Sequence, residues 1–199
     1  IVVGMHQRTS TDDSFWGQFT LSLFNGLNRQ IMIVRNNIPV NSVRRLHIAV
    51  PQKAEFEPGF YRWVERLSRL AEHLDSRVVF HGPENTMRYI RDYVIHRHRS
   101  VRADYDIMER WERLPKIAEQ VNSDHMMIVI TARQGTVSYQ SLFQNLPEVL
   151  SKNFNNSSLM VVFPDQYGES PDVMTFTTAQ HTEQKNSYTP IIKWLRKRI

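Results

Sequence analysis

The residues with the clearest chemical potential lie in the first loop of the chain, which follows a short apolar run. Gly4 closes that run, and Gly17 stands thirteen positions later. Glycines after a strand let the backbone approach a phosphate, and the amides of a following helix N-terminus hold its negative charge. His6 could touch a ligand there, although a hydrogen-bonded loop histidine is the alternative. Gly4, His6 and Gly17 are the residues of this loop whose positions suggest contact with such a ligand.

The same loop holds the acids that a weak ATP hydrolase would need to bind a metal ion near phosphates. Asp12 and Asp13 are these acids, and the alternative is that they cap the next helix. The chain has no Gly-x-Ser-x-Gly elbow, no phosphate loop ending in Gly-Lys-Ser/Thr and no His-Glu-x-x-His motif. The absence of cysteine excludes thiolate nucleophiles and zinc–thiolate sites. We therefore expect no independent enzyme.

One pair of histidines and one pair of glutamates elsewhere in the chain are expected to have structural roles. His96 and His98 are two positions apart, and such a pair on a helix points to different faces, so we predict no metal site. Glu55 and Glu57 lie on opposite sides of an extended segment, which argues against a pair of hydrolase carboxylates. We expect these two acids to stabilise the N-terminus of the following helix.

The positive charge is concentrated in two segments. The chain has 199 residues and a net charge of +5; residues 84–102 carry +3 and residues 188–199 carry +4. Such patches could meet phosphates or an anionic membrane surface, and a solvated basic helix face is the alternative. Trp194 among four basic residues makes the tail a candidate for contact with anionic lipids. Because the aromatic residues fall on apolar helix faces, we expect no nucleic-acid partner.

Short apolar runs alternate with amphipathic segments along most of the chain. This alternation predicts an α/β fold with a parallel sheet. The longest apolar runs are about five residues, far below the roughly 20 needed to cross a bilayer. Strands are predicted at 1–3, 30–35, 45–50, 77–81, 101–107, 125–130 and 159–163, and helices at 15–27, 60–74, 85–97, 111–121 and 142–150.

The beginning of the chain repeats the end of residues 43–164. Residues 1–3 align with 128–130 and residues 31–34 with 160–163, with a polar loop and a helix between them in both copies. Because the chain opens within a strand that we expect to be buried, we expect a fragment of a longer chain. The predicted organisation is the end of a first domain at 1–38, a complete second domain at 39–164, and a polar tail with a terminal amphipathic helix at 165–199.

The glycine spacing resembles the phosphate and ribose loop of universal stress proteins, whose pattern is Gly, two residues, Gly, nine residues, Gly, then Ser or Thr. Gly4 and Gly17 match the outer glycines, whereas Gln7 replaces the middle glycine and Gln18 the hydroxyl residue. In the complete copy, Pro51-Gln52-Lys53 stands where members that bind ATP usually have an Asp. The resemblance implies a degenerate nucleotide loop whose candidate contacts are Gly4, His6, Gln7, Gly17 and Gln18. It makes ATP or AMP the candidate ligand and makes no cofactor certain.

Three stretches, residues 5–10, 50–61 and 161–167, are similar to the tandem stress-protein region that follows the membrane domain of some bacterial sodium/proton antiporters. This resemblance implies a regulatory, ligand-sensing or assembly domain on the cytoplasmic side of the inner membrane. Its partner would be the membrane transporter domain of the same chain. The alternative is a free-standing tandem universal stress protein that binds ATP or AMP.

The resemblance also implies a topology. It predicts a Rossmann-like or flavodoxin-like parallel sheet with strand order 3-2-1-4-5 over residues 43–164, to which residues 1–35 add two strands. The last strands of two such units pair in this family, so residues 31–34 should lie antiparallel to residues 159–163. The same strands would join two molecules in a homodimer.

Overall fold

The computed structural model describes residues 1–5 and 29–166, all of which lie in the compact unit Ile1–Gly168. Within these residues the short apolar runs form one seven-stranded sheet. Its central strands are apolar at nearly every position because they are covered on both faces. The strands are β1 (Val2–Gly4), β2 (Ile31–Arg35), β3 (Arg45–Ala49), β4 (Arg77–Gly82), β5 (Ala103–Ile107), β6 (His125–Ile130) and β7 (Ser158–Phe163).

The strand order is β1-β2-β7-β6-β3-β4-β5, and every neighbouring pair is parallel except β2 and β7. Numbered within residues 45–163 alone, the five strands lie in the order 3-2-1-4-5. The whole sheet differs from that five-strand order because β1 and β2 extend it beyond β7. The fold is therefore α/β with a mostly parallel sheet, and its strand order reverses direction between β3 and β6.

The antiparallel pairing of β2 with β7 confirms the prediction for these two strands. Ile31 pairs with Phe163, and Arg35 pairs with Leu159. Without this pairing, two apolar strands would present open edges to solvent. Both strands therefore have a neighbour on each side within one chain.

Four α-helices flank the sheet in the described part of the chain: α1 (Phe60–Leu74), α2 (Glu84–Arg97), α3 (Leu114–Ile117) and α4 (Leu146–Asn153). The helix α1 has the predicted bounds, since its buried residues recur at helical spacing, as Phe60, Trp63 and Leu67 show. On one face of the sheet, Met127 shares an apolar cluster with Leu114 of α3. None of the described helices is long and apolar enough to span a membrane.

Three predicted elements differ from the structure. The helix expected at 142–150 is a 3-10 turn at Ser141–Asn145 followed by α4, which continues to Asn153. The helix expected at 111–121 is broken into a 3-10 turn at Trp111–Arg113, α3, and a second 3-10 turn at Ala118–Gln120. Pro115 in the first turn of α3 lacks an N–H, which interrupts the hydrogen bonds of a continuous helix. The strand β1, expected to be buried, forms an edge of the sheet, where Val2 is 69% exposed.

Candidate functional site

The structure describes one of the five residues predicted to bind a ligand. Gly4 ends β1 and is exposed, and a Cβ atom added there would meet nothing within 4 Å. His6, Gln7, Gly17 and Gln18 lie outside the described residues, as do Asp12 and Asp13. The first loop therefore stays a prediction, and the described site must be built from residues 29–166.

The crevice at the carboxyl ends of β3 and β6 is where open α/β sheets commonly bind ligands, because the strand order reverses there. Here a buried carboxylate bridges the two loops that border it. Glu57 accepts hydrogen bonds from the backbone N–H of Ser138 (2.9 Å) and from its hydroxyl (2.6 Å). Both residues are buried. The loop after β3 is thus fastened across the end of β6.

The start of α1 closes the same region from the side of β7. A Cβ atom on Gly59 would lie 2.3 Å from the carbonyl oxygen of Asp165, so only glycine allows this approach. Arg62 of α1 donates to the Asp165 carboxylate at 2.9 Å. The chain's own residues therefore tie together the loops at the carboxyl ends of β3, β6 and β7.

A cavity of about 510 Å³ lies beside this crevice, at the carboxyl ends of β3 and β4. The N-terminus of α2, which would attract an anion, is occupied by an internal carboxylate: the Glu84 N–H donates to Glu109 Oε1 at 3.0 Å. The side chain of Gln52 donates to the Glu109 backbone carbonyl at 2.6 Å and holds that residue in place. Lys53 and Arg88 line the cavity as its cationic groups.

The two glutamates expected to stabilise the start of α1 have other partners. Glu57 binds Ser138, and Glu55 accepts a hydrogen bond of 2.6 Å from the Thr86 hydroxyl in the first turn of α2. The N-cap of α1 is Gly59, which makes no side-chain cap hydrogen bond. The expectation for Glu55 and Glu57 at α1 was wrong because tertiary partners on other elements lie within reach of both.

Three buried histidines form a hydrogen-bonded row across the centre of the sheet, which we call the imidazole row: His81, His47 and His125, on β4, β3 and β6. His47 Nδ1 lies 3.1 Å from His81 Nε2, and His47 Nε2 lies 3.2 Å from His125 Nδ1. Their exposed fractions are 1% for His47, 0% for His81 and 5% for His125. The row is thus shielded from solvent along its length.

Each end of the imidazole row has a polar partner nearer the surface. At one end, His81 Nδ1 lies 3.0 Å from Asp106 Oδ2 on the edge strand β5, and the Asp106 side chain is 55% exposed. At the other end, His125 Nδ1 lies 3.2 Å from both the Gln120 carbonyl oxygen and the Asn122 backbone nitrogen. His125 Nε2 lies 3.6 Å from Asp124 Oδ1. The row therefore links an acid on the sheet edge with the turn before β6.

Burial disfavours the charged form of all three rings of the row. It lowers the pKa of His47 to about 3, helped by His81, His125 and Arg45. Burial also lowers the pKa of His81, against the opposing effect of the Asp106 carboxylate, and that of His125, against the opposing effect of Asp124. Neutral imidazole has one donor and one acceptor, which suits a series of single hydrogen bonds.

A fourth histidine, His98, joins the end of α2 to α1 through two carboxylates of α1. His98 Nε2 lies 2.7 Å from Glu65 Oε2, and His98 Nδ1 lies 3.1 Å from Glu72 Oε1. Burial would raise the pKa of Glu65, but hydrogen bonds from His98, Tyr93 and Arg69 outweigh it and lower the pKa. A hydrogen bond from Ser100 is the main cause of the lowered pKa of Glu72. This cluster fastens the two helices together.

The sequence analysis missed the imidazole row and the role of His98. Within residues 1–5 and 29–166, no group of three or more His, Asp or Glu side chains is arranged to hold a metal ion. The signal that could have revealed the row is one histidine inside each of three apolar strands, at positions 47, 81 and 125. Their hydrogen-bonded arrangement depends on the strand order, which brings β4, β3 and β6 side by side.

The comparisons with known proteins concern the fold alone. No family model matches the chain, and no curated protein matches it. One similar solved structure is a protein of unknown function from Pseudomonas aeruginosa PAO1, with 13% identity and a TM-score of 0.49 over 83% of this chain. Another is from Pseudomonas aeruginosa UCBPP-PA14 and is provisionally named a universal stress protein, with 14% identity and a TM-score of 0.47 over 83% of this chain. The chain spans 63% of the length of each of these two proteins.

Proposed function

We propose that this chain is a regulatory domain of universal stress type that is attached to a bacterial cation/proton antiporter and acts without catalysis of its own. It comprises the end of a first copy, residues 1–38, and a complete second copy, residues 39–164. The observation that carries the proposal is the antiparallel junction of β2 with β7. This is the arrangement that the resemblance implies for the last strands of two copies.

The strands on either side of that junction support the two-copy organisation. Val2 of β1 pairs in parallel with Met32 of β2, 30 positions later in the chain. Ile128 of β6 pairs in parallel with Met160 of β7, 32 positions later. Two parallel pairs with nearly equal offsets therefore flank the junction in the order β1-β2-β7-β6, as an approximate two-fold repeat requires.

The crevice of the proposed complete copy is closed by its own residues. This favours a regulatory role for the domain and argues against turnover of a nucleotide there. Glu57 and Ser138 fasten its loops, and Glu109 occupies the N-terminus of α2. The antiporter context comes from the resemblance of residues 5–10, 50–61 and 161–167. It makes the membrane transporter domain of the same protein the partner and the cytoplasmic side of the inner membrane the location. The basic tail would contact anionic lipids there.

A homodimer, which the same resemblance implies, needs a surface other than β2 and β7. Both strands are already paired on each side inside one chain. The sheet edges in the described part of the chain are β1 and β5. Sedimentation equilibrium of the 199-residue chain would give its oligomeric state.

The experiment that tests the proposal uses the natural protein that contains this chain, reconstituted in lipid vesicles. Sodium-driven proton movement is followed with a pH-sensitive dye across a range of internal pH and nucleotide conditions. We expect removal of residues 1–199 to leave transport present but to change its dependence on one of these conditions. Transport that is absent in the natural protein, or that is identical with and without this region, would contradict the proposal.

The alternative function is a tandem stress protein that binds ATP or AMP, and the 510 Å³ cavity with Lys53 and Arg88 is the observation that favours it. Calorimetric titration of the chain with ATP and AMP tests it. Binding that Arg88→Ala weakens tenfold or more, and that Arg113→Ala leaves unchanged, would favour this alternative. Arg113 is a suitable control because it is exposed and lies outside the residues that line the cavity.

A further inference from the structure

The strand β5 has an open edge in the part of the chain that the structure describes. It pairs in parallel with β4 on one side, and no described strand lies on its other side. The Val78 N–H donates to the Arg102 carbonyl, so Arg102 and every second residue after it turn their backbone groups to β4. The residues between them, Ala103, Tyr105 and Ile107, therefore turn their N–H and C=O groups to the open edge. An extended segment can add to such an edge as one more strand.

A cavity of about 630 Å³ lies beside this edge, between the end of α2 and β5. Part of its lining is apolar, and Ile95 of α2 is 55% exposed there. The apolar residues of the lining are Val94, Ile95, Val101 and Ala103. A strand added at β5 would place alternate side chains over this cavity, because successive side chains of a strand point to opposite faces.

Two exposed arginines border the cavity, and neither pairs with a carboxylate among the described residues. The guanidinium carbon of Arg91 lies 4.8 Å from the centroid of the Tyr105 ring, and Arg99 follows the end of α2. The Tyr105 hydroxyl oxygen is buried and has no hydrogen-bond partner in the described part of the chain. The whole segment 84–102 carries a charge of +3. The α2 side of the edge therefore favours acidic side chains.

The opposite face of β5 carries negative charge. Asp104 and Asp106 alternate with Tyr105 along the strand, and their side chains are 61% and 55% exposed. A second copy of β5 added across a two-fold axis would place Asp104 opposite Asp106, and like charges directly opposite are destabilising. An anionic membrane would meet the same two carboxylates. The edge therefore disfavours both a second copy and a lipid surface.

We propose that the β5 edge binds an extended segment of another protein in which glutamate alternates with lysine. The glutamates lie on the α2 face, where they pair with Arg91 and Arg99. The lysines lie on the other face, near Asp104 and Asp106. Backbone hydrogen bonds to the open edge supply affinity, and the alternating charges set the register and reject other partners. This binding goes beyond the regulatory function and does not need the membrane domain.

A peptide titration tests the proposal on the 199-residue chain. The probe is the blocked, fluorescently labelled peptide Thr-Lys-Glu-Lys-Glu-Lys-Thr, whose binding is followed by fluorescence anisotropy. The control is Thr-Lys-Lys-Lys-Glu-Glu-Thr, which has the same composition and charge but no alternation. We expect the control to bind more weakly by roughly tenfold or more, because one face then presents like charges to the edge. The probe methylated on its backbone nitrogens should not bind, since it cannot donate to the edge.

Amide hydrogen exchange followed by NMR locates the bound peptide. The N–H groups of Ala103, Tyr105 and Ile107 should exchange rapidly in the free chain, because they face the open edge. Saturation with the probe should slow their exchange by roughly tenfold or more. The edge strand β1 is the internal control, and the exchange of its Val3 N–H should be unchanged.

Substitution of the arginines separates specific pairing from general attraction. Arg91→Ala and Arg99→Ala should each weaken the probe by roughly fivefold or more. Arg113→Ala is the matched control, since Arg113 is also an exposed arginine and does not line this cavity. It removes the same charge and should leave the affinity unchanged. Far-UV circular dichroism checks that each variant is folded.

Five results would overturn the proposal. The first two are failure of the probe to bind and equal affinity for the probe and the control peptide. The third is slow exchange at Ala103, Tyr105 and Ile107 in the free chain, which would show that the chain itself or a second copy covers the edge. The fourth is displacement of the probe by an equal concentration of inorganic phosphate, which would indicate a simple anion site. The fifth is unchanged affinity in Arg91→Ala. None of these results bears on the antiporter proposal, which is tested by transport in vesicles.

Discussion

Replacement of the central ring of the imidazole row should remove a defined part of the pH dependence of folding. His47 has a pKa of about 3 in the folded chain, because of its burial, against 6.5 when exposed. Between these values the unfolded state binds more protons than the folded state, so stability rises with pH. Acidification from pH 7 to pH 5 should therefore cost about 2 kcal/mol of unfolding free energy from His47 alone.

The substitution His47→Leu tests this estimate. At pH 7 it should destabilise the chain by roughly 2–6 kcal/mol, because His81 and His125 each lose a buried hydrogen-bond partner at about 1–3 kcal/mol apiece. Its further loss between pH 7 and pH 5 should be smaller than that of the wild type by about 2 kcal/mol. Urea unfolding at the two pH values, followed by tryptophan fluorescence, gives both quantities.

A matched control uses the same substitution at an exposed site. His73 lies on the exposed face of α1, so His73→Leu should keep the wild-type loss between pH 7 and pH 5. The reasoning is refuted if His47→Leu loses as much stability on acidification as the wild type does.

Three further substitutions test the contacts around the crevice and between the helices. Ser138→Ala removes the hydroxyl bond to buried Glu57 and should lower the unfolding free energy by about 1–3 kcal/mol in urea unfolding. Gly59→Ala places a Cβ atom 2.3 Å from the Asp165 carbonyl oxygen. This substitution should lower the unfolding free energy by about 1–3 kcal/mol or more. Glu65→Gln removes a carboxyl group of lowered pKa, whose stabilisation is present above pH 4.5 and lost below it; the variant should therefore lose less stability than the wild type as pH falls from 5 to 3.

Each of these variants has a control in the described chain. Ser151→Ala removes an exposed hydroxyl, and Gly4→Ala adds a Cβ atom to open space; both should change the unfolding free energy by less than about 0.5 kcal/mol. Glu148→Gln removes an exposed acid from α4. This variant should lose as much unfolding free energy as the wild type when the pH falls from 5 to 3. Equal effects in a variant and its control would show that the named contact is not the cause.

Periodicity was sufficient to predict the strands and the two long helices, α1 and α2. The helix α1 has the predicted bounds because its apolar stripe and its charged face are both complete over Phe60–Leu74. Strands β6 and β7 were evident from continuous apolar runs. The broken helix near Pro115 was not predicted, since the apolar spacing of Leu114, Ile117 and Ala118 suits α-helix and 3-10 turns alike.

The candidate site was predictable only where its signal was local. The glycine spacing of the first loop can be read within one segment of chain. The imidazole row joins residues 34 and 78 positions apart, and its distances depend on the register of three strands. Glu57 and Ser138 are 81 positions apart. Such contacts follow from tertiary structure, which no local pattern contains.

The most direct test of the proposed function is the coding sequence upstream of Ile1, translated and searched for apolar segments of roughly 20 residues. The account predicts ten or more such segments ahead of the strand that contains Val2, together with strands that would complete a first copy. An upstream region that encodes a complete α/β copy and no such segments would contradict the antiporter assignment and leave a free-standing tandem stress protein.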